Sequence, residues 1–91
     1  MKLMDKLSGI QIRKEFFASL LKQGNGVAAG DVVIPVIVIK DIYKKYQYEL
    51  TMEEFDMIGD ELETEGLFNW NVDGLLAITA AGIEALSHQK F

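Results

Sequence analysis

Asp73-Gly74 stands between two short apolar stretches, 67–72 and 75–78, and that arrangement predicts a β-hairpin. A helix is equally well marked just before it. Thr51-Met52-Glu53-Glu54 has the form of a capping box: the threonine hydroxyl accepts from a free backbone N–H, and the glutamate three residues on reaches back. Phe55, Ile58 and Leu62 then recur on one helical face, and Gly66 closes the helix. After the hairpin, Thr79 caps a final helix over 80–89 that carries Ile83 and Leu86 inward.

The first half is read the same way. Ser8 is an N-cap for a first helix whose stripe is Ile12, Phe16 and Leu20, widened by Phe17 and Leu21. Arg13, Lys14, Glu15 and Lys22 fall largely outside it, and Gly24-Asn25-Gly26 ends the helix. Residues 27–31 read as a loop and the β-branched 32–34 as a short strand. Pro35 suits the first turn of a second helix. Its expected buried stripe is Ile39, Ile42, Tyr43 and Tyr46, with Lys40, Asp41, Lys44 and Lys45 facing water. The β-branched run 36–39 leaves the alternative of a longer strand open.

Ninety-one residues suffice for one domain and are too few for two, so one domain over 1–91 is expected. No cysteine is present, which removes disulfides and thiolate metal sites and fits a cytoplasmic setting. The longest apolar run, 32–39, is interrupted by Pro35 and is far short of the ~20 residues a membrane span needs. The N-terminus has no hydrophobic stretch of signal-peptide type, and a membrane role is not expected.

Charge divides the chain. Residues 1–45 hold eight of the nine basic residues and four acids, a net of +4; residues 46–91 hold ten acids and only Lys90, a net of −9. Between Tyr46 and Gln89 there is no lysine or arginine.

Two local patterns point to a family. Asp60-Glu61-Leu62-Glu63-Thr64-Glu65-Gly66-Leu67-Phe68 looks like the passage from recognition helix into wing of the winged helix-turn-helix superfamily. Ile78-Thr79-Ala80-Ala81-Gly82-Ile83-Glu84-Ala85-Leu86 is similar to that family's passage from wing strand into final helix. With a glycine-turn hairpin between them, the chain resembles this superfamily over almost its whole length, and within it the small stand-alone YjcQ-like proteins of bacteria and phages. The resemblance implies an α+β fold: a three-helix core, a short strand plus a two-stranded wing hairpin, and a C-terminal helix. It does not imply a function, because one fold hosts many.

DNA-binding members place helix three in the major groove and present cations or amides to the bases. Here the matching stretch carries Glu53, Glu54, Asp56, Asp60, Glu61, Glu63 and Glu65 and no basic residue. Duplex DNA presents one negative charge every ~1.7 Å of axis, so such a face is repelled. The wing, 68–74, offers no lysine or arginine either. The alternative, a DNA-binding transcriptional regulator, has to use the basic residues of helices one and two, in one chain or in a dimer that joins two basic faces: Arg13, Lys14, Lys22, Lys40, Lys44 and Lys45. Against that stands the plain reading of those lysines as a solvated face.

The acidic helix has a plain reading as well, since acids near a helix N-terminus are favourable and keep a small protein soluble. Glu63 and Glu65, at the other end, gain nothing of that kind. The expectation is therefore a non-enzymatic, regulatory or phage-related module that binds a protein with a basic surface through Glu53, Glu54, Asp56, Asp60, Glu61 and Glu63, with charge mimicry of nucleic acid as a related mode. Trp70 is either core or, beside Phe68, an exposed anchor. A homodimer joining the basic and acidic halves is open.

Catalytic equipment is not expected. His88 is the only histidine and sits near the C-terminus, and no nucleophile–base arrangement is built around it. Gly24, Gly26 and Gly30 do not match a phosphate loop. Asn69-x-Asn71-x-Asp73-Gly74 resembles half of a calcium loop, but its first position is Asn and its twelfth is Ala80 rather than Glu, so no metal or other cofactor is expected.

Overall fold

Ser8 accepts from the backbone N–H of Gln11 while the Gln11 side chain accepts from the Ser8 N–H, a reciprocal cap that starts α1 at Gly9–Leu21. The computed structural model describes residues 8–23 and 26–89 of the chain. Ile12, Phe16, Phe17 and Leu20 are buried, as the spacing predicts. Three expectations on α1 are corrected. Leu21 is 57% exposed, because at 3.6 residues per turn it falls past the edge of the buried arc. Glu15 is buried on that arc, three residues from Ile12 and four from Ser19, and the Arg13 side chain is 13% exposed, so neither lies outside the stripe. Gly24 and Asn25 of the expected helix stop lie outside the described residues.

The strand β1 is Val32–Val33, and α2 is Pro35–Tyr46, with Pro35 in the first turn. Ile34 is the N-cap of α2 rather than part of the strand, and 36–39 are helical. The buried pair of α2 is Val38 and Ile42, one turn apart, with Ile39 partly buried. The expected burial of Tyr43 and Tyr46 is corrected. Tyr43, one residue on from Ile42, is turned about 100° away from the core and is 49% exposed. Tyr46 is the last residue of the helix and is also exposed. Asp41 is half-buried and holds Lys22, instead of facing open water.

The capping box of Thr51 and Glu54 is formed and begins α3 at Met52–Thr64, which buries Phe55, Ile58, Gly59 and Leu62. The hairpin follows as β2 (Phe68–Trp70) and β3 (Leu76–Ile78), both shorter than the apolar stretches implied. Its tip is a three-residue loop closed by Asn71 N–H to the Leu75 carbonyl, with Gly74 at φ 78°. The Asn71 side chain accepts from the N–H groups of Asp73 and Leu75. The pattern that imitates a calcium loop is therefore used as a turn, and no group of acids or histidines suited to a metal occurs among the described residues.

The sheet is antiparallel throughout, in the order β1-β3-β2, with Val33 opposite Leu76 and Trp70 opposite Leu76 on the other side. Thr79 caps α4 (Ala80–Ser87), which ends before the forecast Gln89. Its hydroxyl also donates to the Gly66 and Leu67 carbonyls, so one side chain ties α4 to the end of α3. At Gly82 a Cβ would lie 2.1 Å from the Leu67 carbonyl oxygen, so this packing admits only glycine. Ile83 and Leu86 are partly buried against the core.

One contiguous core joins these elements. Phe16 stacks on Phe55 at 4.6 Å between centroids, and Phe17 meets Phe68 edge-on at 5.1 Å. Thus α1 is the hub, with α3 on one aromatic contact and the sheet on the other. The chain is α+β, with four helices and a three-stranded antiparallel sheet among the described residues. No described helix is long and apolar enough to cross a membrane.

Candidate protein-interaction face

Burial of Phe55, Ile58, Gly59 and Leu62 fixes the rotation of α3, and its carboxylates then fall into three lines. Glu53, Met57 and Asp60 fall on the side of the helix opposite the buried residues and are exposed. Asp56 and Glu63 lie on the flank toward β2. Glu54, Glu61 and Glu65 lie on the flank toward α1 and the α2–α3 loop.

Most of the second and third lines are engaged within the chain. Arg13 donates to Glu65 through both terminal nitrogens, at 2.5 and 2.7 Å. This two-point bond holds the Glu65 carboxyl below its ordinary value and raises the guanidinium further above its own. The Arg13 Nε is buried without a hydrogen-bond partner among the described residues. Glu54 accepts from Thr51 through one oxygen and from the Tyr48 hydroxyl through the other. That hydrogen bond, together with burial and the carboxylate charge, pushes the Tyr48 phenol up to about 12.

Trp70 lies between the two alternatives read from the sequence. Its ring is half-buried over α3, where a Cβ on Gly59 would come within 2.6 Å of Cζ2. Its indole N–H donates to Asp60 at 2.8 Å, and its backbone N–H donates to Glu63 at 3.2 Å. Asp60 and Glu63 therefore brace β2 as well as facing solvent. Glu53, Asp56 and Glu61 make no hydrogen bond or ion pair among the described residues. Glu53 and Asp56 form the open part of the acidic face, beside the exposed Met52 and Met57, whereas the Glu61 charge acts on Arg13.

The basic candidates are also divided. Arg13 is taken by Glu65, Lys45 binds Glu15 at 2.9 Å and Lys22 binds Asp41 at 2.6 Å. The Glu15 bond raises Lys45 above its ordinary value. Lys14, on α1, and Lys40 and Lys44, one turn apart on α2, are exposed and make no ion pair among the described residues.

One surface escaped the reading of the sequence. With Tyr43 turned outward, Val36, Lys40, Tyr43 and Lys44 share the outer face of α2. Beside them Ile39, Glu49 and Leu50 help line a shallow hollow of about 490 Å³. The signal present in the sequence was the spacing of Val36, Lys40, Tyr43 and Lys44, which marks a second, mixed stripe on a helix already rich in apolar residues. A larger open hollow, about 670 Å³, lies between α1 and α4, with Ala18, Leu21, Ile83 and Leu86 among its lining.

The chain matches no protein-family model, no curated protein and no solved structure.

Proposed function

We propose that this chain is a non-enzymatic winged-helix module that binds another protein through the acidic outer face of α3, in a regulatory or phage-related setting. The element order supports the winged-helix reading: three helices, a short strand joined to the hairpin, and a helix capped at the end of the second hairpin strand. The observation that carries the functional reading is the exposure of Glu53 and Asp56 with no ion-pair partner among the described residues. A partner with lysines or arginines on its surface satisfies these charges; a phosphate backbone does not.

DNA binding through helices one and two is less favoured. Arg13, Lys22 and Lys45 are committed to Glu65, Asp41 and Glu15, which leaves Lys14, Lys40 and Lys44. The test is affinity capture on the immobilised full chain, compared with Glu53→Lys/Asp56→Lys. The expected result is a protein retained by the wild type, released by salt and lost with the variant. A retained set that the variant leaves unchanged would refute an acidic docking face.

A further inference from the structure

The outer face of α2 pairs apolar and cationic groups that the fold does not use. Val36 and Tyr43 are exposed, and Lys40 and Lys44 lie beside them without an ion-pair partner among the described residues. Ile39, Leu50 and the exposed Glu49 line the adjoining hollow with Lys40, Tyr43 and Lys44. What covers such a face must bring carboxylates to the two lysines and flexible apolar groups to the tyrosine and valine. The outer face of α3 has that composition. Glu53 and Asp56 are open, and Met52 and Met57 are exposed beside them. Methionine packs well against an aromatic ring and adapts to an irregular surface.

The two faces cannot meet within one chain, because both point away from the same core. The loop 47–51 joins the two helices, so both faces lie on one continuous stretch of chain. Two copies related by a twofold axis bring α2 of each against α3 of the other, which forms both contacts at once and closes the assembly. We propose that the chain forms such a reciprocal homodimer, with Lys40, Tyr43 and Lys44 of one copy docked on Glu53, Asp56 and Met57 of the second. The inference rests on the acidic-face reading and names a second copy of this chain as a partner of that face. Both helices are thereby withdrawn from any other ligand until the dimer dissociates.

Sedimentation equilibrium of the full chain tests it, in about 50 mM and about 500 mM salt, where screening lengths differ by roughly threefold. The expected result is a concentration-dependent dimer at low salt that weakens at least about tenfold at high salt. Lys40→Glu/Lys44→Glu and Glu53→Lys/Asp56→Lys each weaken it about tenfold or more, and the chain carrying all four reversals dimerises again. Circular dichroism establishes that each variant is folded; Lys40→Gln/Lys44→Gln, which removes the charge without reversing it, replaces any that is not, and must also weaken the dimer. A wild-type monomer at every concentration, or a dimer indifferent to both reversals, overturns the proposal. A fluorescein-labelled arginine-rich peptide separates the two readings. If the monomeric wild type binds it and Glu53→Lys/Asp56→Lys does not, the acidic face stands while the homodimer falls.

Discussion

Arg13 on α1 and Glu65 at the end of α3 form a two-point ion pair across the hub of the fold, at 2.5 and 2.7 Å. It accounts for a carboxylate that sits at the wrong end of a helix for its charge. The Arg13 side chain is mostly buried, and removing its partner strands a guanidinium whose Nε already has no acceptor among the described residues. Glu65→Gln is expected to cost about 1 kcal/mol at neutral pH, discounted because Glu65 is nearly half exposed. The sign with pH follows from the lowered carboxyl. The contribution is complete above the ordinary carboxylate value of 4.5 and is lost as the pH falls through the depressed native value. Urea titrations at successive pH values are expected to show the wild type and Glu65→Gln converging in acid.

The Tyr48–Glu54 hydrogen bond behaves in the opposite direction. Tyr48 is neutral when it donates, and its native value is raised from 10 to about 12. Its contribution is therefore full below pH 10 and disappears as the pH rises toward 12. Tyr48→Phe is expected to cost about 1 kcal/mol at neutral pH and nothing above the native value. Ultraviolet titration checks the assignment: the component missing from Tyr48→Phe is the one that ionises near 12.

These two pairs show which parts of the fold were legible in sequence. The cap of Thr51 and Glu54, the Gly74 turn and the Thr79 cap are each decided within a few residues, and all are formed. Arg13 and Glu65 are 52 residues apart, and no local pattern pairs them. The phase of α2 is illegible in the sequence for a different reason. Every residue from Val36 to Ile39 is apolar, so the pattern does not say which side faces in, and Val38 rather than Tyr43 is buried. The acidic helix was visible as a charge count, but the division between bracing and open carboxylates depends on where Trp70 and Arg13 come to rest.

Close approach makes two glycines sensitive. Gly59→Ala places a methyl group against the Trp70 ring, which lies at an edge of the sheet and can shift. A cost of about 1–2 kcal/mol is expected, with a changed emission from Trp70, the only tryptophan. Gly82→Ala meets a backbone carbonyl that has no rotamer to change. It is expected to cost more, about 3 kcal/mol, with little change in Trp70 emission. Thermal denaturation followed by circular dichroism and by fluorescence distinguishes them.

Asn71 fastens the hairpin tip by accepting from two backbone N–H groups. Asn71→Ala is expected to lower stability by about 1–2 kcal/mol, as two donors lose an acceptor at an exposed site. Calcium is expected to leave the melting temperature of the wild type unchanged, since the same oxygen is already committed to the turn.

The central claim is that the outer face of α3 is built for protein and not for DNA. Fluorescence anisotropy of the full chain against a randomised duplex DNA library, at low salt where phosphate contacts are strongest, tests it most directly. The account predicts no sequence-selected binding and no gain in discrimination after repeated selection. Sequence-specific submicromolar binding that is lost on substituting Glu53, Asp56 or Asp60 would contradict it.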